Sequence, residues 1–308
     1  MLKLLFPIIG IVILAACNDA GEKKADNDHF DMDTAILISK ADSSLIINSI
    51  PRDSLIKSFD TVTINGSLFF LYQGDILLTR EELAVKMHEK FSIVTDSTKS
   101  PEKHAMMEWN DIIIGFDPEK NDTVKWNKFP ITYRIDKKSF SGVPGRYEMV
   151  RENMLKATND WEGLCNTRFL YMPEADEGPI LPAGAIDFVV TYVPASSGFI
   201  ATAFFPNDPA IKRQLVIYPN YWNTSYDKTG VFRHEIGHIL GFYHEHSSGS
   251  TDVPMDCRYK YPEASRGIPI SYYDKLSVMH YFCGDAGTRE MKFSRSDTFG
   301  SLTVYPKH

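Results

Sequence analysis

Residues 234–246 read His234-Glu235-Ile236-Gly237-His238-Ile239-Leu240-Gly241-Phe242-Tyr243-His244-Glu245-His246. His234 and His238 are four positions apart, so on a helix their rings lie one above the other on one face. Two imidazoles so placed can hold one zinc ion. Glu235 follows the first of them and is placed to reach the open side of the metal rather than to ligate it. Gly241 ends the helix, because glycine takes the left-handed conformation of a sharp exit without steric cost. The turn then brings His244 to the same ion. Three neutral nitrogens leave a position for water; zinc lowers its pKa toward about 7, and Glu235 can take its proton. A structural zinc site fills its fourth position and needs no such carboxylate. That disfavours the rival reading, a zinc-containing surface adhesin or binding lipoprotein without catalysis. A further rival is hydrolysis of another amide bond, such as one in a cell-wall or glycan-linked peptide.

Downstream, Ser277-Val278-Met279-His280-Tyr281 is the candidate methionine turn, and with the zinc motif it resembles the metzincin signature. Gly241–His246 together with Ser277–Tyr281 resembles the astacin family of metzincins. Trp126…Pro130-Ile131-Thr132-Tyr133 resembles that family's opening strand. Phe293-Ser294-Arg295-Ser296-Asp297 through Tyr305-Pro306 resembles its closing helix, so the resemblance spans residues 126–308. The His-Glu-Ile-Gly-His core is also similar to that of a family of bacterial metallopeptidases with the same zinc chemistry. The astacin resemblance implies an α+β fold, a metzincin catalytic domain with a mixed, mostly parallel sheet and an active-site helix. It implies Zn2+ held by His234, His238, His244 and Tyr281, with Glu235 and Tyr281 catalytic. Tyr281 would swing from the metal to the tetrahedral intermediate. Met279 would floor the metal, and Glu245 would contact the mature N-terminus. Residues 198–206 would be the edge strand on which an extended peptide substrate pairs; a buried central strand is the competing reading of that apolar run.

Periodicity places the surrounding elements. Residues 131–135 alternate as a half-buried strand does, and 146–163 carry one apolar helix face. Residues 186–193, 199–205 and 214–218 are rich in strand formers, and a second helix covers 230–240. Upstream, 61–79 reads as two strands joined around Gly74-Asp75, followed by a short helix at 80–91 and a loop at 95–104. A small α+β pro-segment is therefore expected over 35–125. Tyr72-Gln73-Gly74-Asp75 resembles the astacin propeptide motif whose aspartate binds the zinc, so Asp75 is a candidate ligand in a latent form. A cut near Lys120 to Lys125 would then free the catalytic half.

The N-terminus reads as an address. Lys3 precedes an apolar run, Leu4–Ala16, too short to span a bilayer comfortably. Leu14-Ala15-Ala16-Cys17 resembles the lipobox of bacterial lipoproteins, so 1–16 is expected to be a signal peptide, Cys17 the lipidated residue and 17–34 an acidic tether. The expected location is outside the cytoplasm, lipid-anchored in a bacterial membrane on the periplasmic or outer face. Such a location permits disulfides. Cys165, Cys257 and Cys283 allow three pairings; the pair flanking the methionine turn, Cys257–Cys283, is preferred.

Charge supports the division. Residues 1–125 hold 20 acidic and 13 basic side chains, whereas 126–308 hold 20 of each, so the net charge of −7 lies wholly in the first part. An acidic chain argues against a broad nucleic-acid surface. The partners expected are protein or peptide substrates, acting on a monomer.

Overall fold

In a computed structural model the described residues are 59–64, 66–72, 75–84, 113–117, 120–178, 184–195, 198–248, 250–260 and 267–307. The expected signal peptide, Cys17, the tether, residues 85–91 of the expected helix and the 95–104 loop lie outside them. Among the described residues no helix is long and apolar enough to cross a membrane.

In chain order the elements are β1 (Thr61–Ile64), β2 (Ser67–Tyr72), β3 (Ile76–Leu78), β4 (Ile113–Asp117), β5 (Asp122–Thr123), β6 (Ile131–Ile135), α1 (Arg146–Leu164), β7 (Phe169–Tyr171), β8 (Phe188–Tyr192), β9 (Ala201–Thr202), β10 (Gln214–Ile217), α2 (Asn220–Asn223), α3 (Lys228–Ile239), α4 (Met255–Lys260), β11 (Gly267–Pro269) and α5 (Arg295–Val304). The main sheet has the order β7-β6-β8-β10-β9. Its first four strands run parallel and β9 is antiparallel at the edge. The fold is therefore α+β with a mixed, mostly parallel sheet, as expected. β10 is buried along its whole length, as a strand covered on both faces must be.

Three details depart from the sequence reading. Residues 61–79 form three antiparallel strands rather than two, because the chain also turns at Gly66, which has φ 79°. Residues 199–205 yield only the two-residue β9. Beyond it, Phe205 N donates to Asp208 Oδ2 at 2.8 Å and Asp208 N to Phe205 O at 2.9 Å, a turn that replaces the ladder. Finally, β4, β5 and β11 form a small sheet in the order β11-β4-β5 that spans remote parts of the chain. Its register sets Ile114 opposite Ile268 and Phe116 opposite Thr123, so β4 joins the two-residue β5 nearby to the remote β11.

α3 is fixed from several sides. Asp227 caps its start, accepting from Gly230 N at 2.6 Å. The buried face of α1, with Val150, Met154, Ala157 and Trp161, packs in the same core as Val231, Phe232, Ile236 and Ile239. Trp161 Nε1 donates to Arg233 O at 2.9 Å, and its ring stacks on Phe242 at 5.7 Å. The last carbonyls of a helix lack intrahelical donors. Here Trp126 Nε1 donates to Ile239 O at 2.7 Å and Tyr305 Oη to Leu240 O at 2.6 Å. Trp126 N also donates to Tyr305 Oη at 3.1 Å. The opening strand and the closing helix thus meet over the exit of α3.

At that exit Gly241 has φ 102°, and a Cβ there would collide with the Val124 carbonyl oxygen. Gly115 N donates to Gly241 O and Tyr243 N to Ile113 O, at 2.9 and 2.8 Å. Residues 113–124 therefore buttress the loop that carries the third histidine. Cys257 and Cys283 form a disulfide, the preferred pairing, and Cys165 is free and buried.

Candidate metal centre

His234 and His238 project from α3, and His244 returns from the turn after Gly241. All three are buried. His234 Nδ1 lies 2.7 Å from Val278 O and His238 Nδ1 2.8 Å from Phe242 O. A carbonyl only accepts, so both Nδ1 atoms carry a proton, and each Nε2 is turned inward as the atom available to a metal. His238 Nε2 is 3.1 Å from His244 Nε2.

The fourth member comes from far upstream. Asp75 Oδ2 is 3.1 Å from His234 Nε2, 3.5 Å from His238 Nε2 and 3.0 Å from His244 Nε2. The ligand atoms of these four residues all lie within 4.8 Å of one another. Three imidazole nitrogens and a carboxylate oxygen thus converge on one buried point, an arrangement that a cation would hold together. Asp75 Oδ1 is buried with no hydrogen-bond partner, a costly state for a carboxylate that nothing else neutralises. The donor set of three imidazole nitrogens and one carboxylate oxygen suits zinc. The residues therefore fit the metal that the sequence implies.

Electrostatics agree with that fit. Burial pushes His238 down to about 4, so its ring is neutral at pH 7, as a ligand must be. Burial opposes the ionisation of Asp75, but the imidazoles, led by His244, outweigh it and hold the carboxyl well below its usual range. Glu235 follows His234 on α3 and is also buried, with Oε2 unpartnered. Burial first, and then the Asp75 carboxylate, raise its proton affinity well above that of an ordinary glutamate. A glutamate so shifted is suited to carry a proton near neutral pH.

The methionine turn closes the site from below. A Cβ on Gly237 would collide with Met279 Sδ, so the second x of His-Glu-x-x-His must be small for the methionine to pack there. The Tyr281 ring lies 4.4 Å from His244 and 5.7 Å from His234, centroid to centroid. It is thus beside the cluster. Glu245 is buried, and its Oε1 accepts from Asp274 N at 2.8 Å. Cys257, His280 and Cys283 also gather closely, but the two sulfurs are bonded to each other.

Sequence reading missed Asp297. Its Oδ1 accepts from Ser277 Oγ at 2.6 Å, and its Oδ2 from Val278 N at 2.9 Å and Ser294 N at 2.7 Å. One buried carboxylate thereby ties the methionine turn to the start of α5, where Ser294 and Asp297 form a capping box. That box was the available signal. Trp126 and Tyr305 were noted only as family likenesses, and their work on the end of α3 has no local signature.

Asp75 arrives at the site along a defined path. Ala203 N donates to Asp75 O at 3.3 Å, and Ile76 bridges Ala203 in parallel. The outer side of β9, the edge on which an extended chain could pair, is thus occupied by the chain's own upstream segment. Leu77 packs with Val216 and Tyr218, while Ile76 and Leu78 pack with Phe205.

No protein-family model matches the chain. It is similar to zinc metalloproteinase nas-2 of Caenorhabditis elegans, with 34% identity over 82 residues, 25% of this chain and 28% of that relative. Zinc metalloproteinase nas-3 of the same organism is 33% identical over 86 residues, 26% and 30% of the two chains. Zinc metalloproteinase nas-39 is 39% identical over 70 residues, 18% and 7%. The chain thus spans less than a third of the length of the curated relatives it matches. Among solved structures, that of myroilysin covers 60% of this chain and 97% of its own, with 18% identity and a TM-score of 0.40. The resemblance to astacin-like zinc metalloproteinases is carried by the matched part of the chain and by the geometry around His234.

Proposed function

We propose that this protein is an exported zinc endopeptidase, anchored through Cys17 and made in a form that Asp75 blocks. The observation that carries the reading is the convergence of His234, His238 and His244 on one point beside the buried carboxyl group of Glu235. His234, His238 and His244 would hold the zinc, with Asp75 as the additional ligand of the blocked form. Zinc, when bound, supplies Lewis acidity to water and to the substrate carbonyl.

The chain's own groups do the rest. The outer edge of β9, once clear of Ile76, offers main-chain pairing to an extended peptide and sets its carbonyl against the site. Glu235 accepts a proton from the attacking water and delivers it to the departing amine nitrogen. Tyr281 donates a hydrogen bond from its hydroxyl to the developing oxyanion. Phe205, 5.4 Å from His238 and stacked on Tyr243 at 4.5 Å, walls the site with aromatic carbon and excludes water.

The test is hydrolysis of casein or a quenched peptide by the full-length protein and by Asp75→Ala, Glu235→Ala and the double variant, each with and without a chelator. Asp75→Ala should raise the rate, and adding Glu235→Ala or chelator should abolish it. A rate indifferent to Glu235 would sink the mechanism. An Asp75→Ala protein no more active than the parent would sink the block. Peptide masses of the products separate endopeptidase action from attack on another amide.

A further inference from the structure

Lys212 holds a buried ammonium, with its side chain only 2% exposed. Nζ bonds Asp208 Oδ1 at 2.8 Å, four residues back in the loop that follows β9. It also bonds Glu82 Oε2 at 3.0 Å and Oε1 at 3.2 Å. Glu82 is 130 residues away in sequence, on the helical turn at 80–84 that follows β3. A buried ammonium is costly unless it is paired and hydrogen-bonded. Asp208 meets that need from within the loop, and Glu82 meets it from the upstream segment.

The Glu82 carboxylate is presented rigidly. Its Oε2 accepts from Thr79 N at 2.7 Å, and Thr79 Oγ1 accepts from Glu82 N at 3.3 Å, a capping box legible as Thr79-Arg80-Glu81-Glu82. Burial opposes its charge, but the Thr79 amide and Lys212 outweigh burial and hold the carboxyl below its ordinary value. The adjoining Leu83 is fully buried with Ile76, Leu78 and Phe205. Residues 75–84 are therefore pinned at both ends, by Asp75 among the histidines and by Glu82 on Lys212, with β3 stretched between them along the β9 edge.

We propose that Lys212, with Asp208, is a carboxylate-binding site of the catalytic unit, filled in cis by Glu82, and that its occupation holds β3 on the substrate edge. This rests on the reading of the upstream segment as a block and adds a second anchor that does not involve the metal. The ligand class is a side-chain carboxylate on a chain whose preceding residues are aliphatic and extended, as Ile76, Leu77 and Leu78 are here.

The experiment uses the full-length protein and Glu82→Gln, which keeps the shape and capping capacity of the side chain and removes its charge. Glu81→Gln, at an exposed neighbouring position, makes the same change in net charge. Hydrogen exchange is read at the Ala203 amide, which Asp75 O protects, and at the amides of β2 and β3. Zinc loss to a chelator is timed in parallel. Glu82→Gln should speed exchange at Ala203 and β3 by about five- to tenfold, the scale of one charge-assisted contact at a partly exposed site. It should also shorten the time for zinc loss, and Glu81→Gln should match the parent. Exchange in Glu82→Gln equal to the parent, or an equal effect from Glu81→Gln, overturns the proposal. A protein that binds no zinc defeats the metal reading and removes the chelator arm, but the exchange arm still decides the role of Lys212.

Discussion

The Val278 carbonyl accepts the Nδ1 proton of His234 at 2.7 Å, so the residue before Met279 decides which nitrogen of the first histidine faces the cluster. The turn is not merely a floor. It sets a tautomer, and Asp297 in turn sets the turn. Such outer-shell bonds orient metal-ligating histidines and raise their basicity.

Asp297→Ala should therefore act at a distance. It leaves Val278 N, Ser277 Oγ and Ser294 N without their acceptor. Loss of stability of about 3 kcal/mol is expected, together with a zinc affinity lower by about tenfold or more. Denaturant unfolding and a competitive zinc titration check the two effects; unchanged zinc affinity would show that the turn holds His234 without Asp297.

Gly237→Ala should cost about 2 kcal/mol, because the added methyl meets Met279 Sδ and also approaches Trp161. Shortening Met279 to Ala makes room for it. The double variant should then be more stable than the sum of the two single losses predicts, by about 1 kcal/mol. Thermal unfolding of all four proteins measures the coupling, and strict additivity would place the strain elsewhere.

His280 gives a pH signature. Burial pushes its imidazole from 6.5 down to about 4, with Nδ1 on Tyr281 O and Nε2 against the Tyr273 hydroxyl. The folded state binds the proton less well than the unfolded state. The stabilisation is thus complete above about pH 6.5 and drains away as pH falls toward 4. The stability gap between the parent and His280→Asn should shrink by about 2 kcal/mol from pH 7 to pH 5. A gap constant over that range would mean that the neutral ring is not what the fold selects.

Tyr305→Phe removes one hydroxyl that donates to Leu240 O and accepts from Trp126 N. Both groups lie at the exit of α3, so a loss of about 1–3 kcal/mol is expected. Amide exchange should quicken at Trp126 and around residues 239–241 before it does in β6. Uniform quickening would show that the bond is not local to that end.

How much of this could be read in the chain follows from distance along it. The spacing of His234, His238, Gly241 and His244 is a local code, because a helix and one glycine turn suffice to bring the rings together. Asp75 was legible only as a short motif before a strand; its arrival among the histidines depends on β3 lying against β9, a pairing across more than a hundred residues. The hairpin at Gly66 was present as Asn65-Gly66, a strong turn signal lost inside an otherwise continuous run of strand formers. β4 and β11 are short, and β4 finds its partners in the two-residue β5, in β11 and in residues 241–243, so neither has a period long enough to detect. Lys212, Asp297 and Tyr305 each act alone, through bonds to groups remote in the chain, and one residue has no periodicity.

The buttress at 113–124 has a consequence for maturation. Gly115 and Ile113 are stitched to Gly241 and Tyr243, and the Val124 carbonyl rests on Gly241. Scission at Lys120 or Lys125 would not separate an inhibitor from an enzyme; it would nick the keel under the third histidine. Under the proposed block, release would have to sever the chain ahead of Ile113, so that the departing piece takes Asp75 and Glu82 and leaves β4 behind beneath the loop that carries His244.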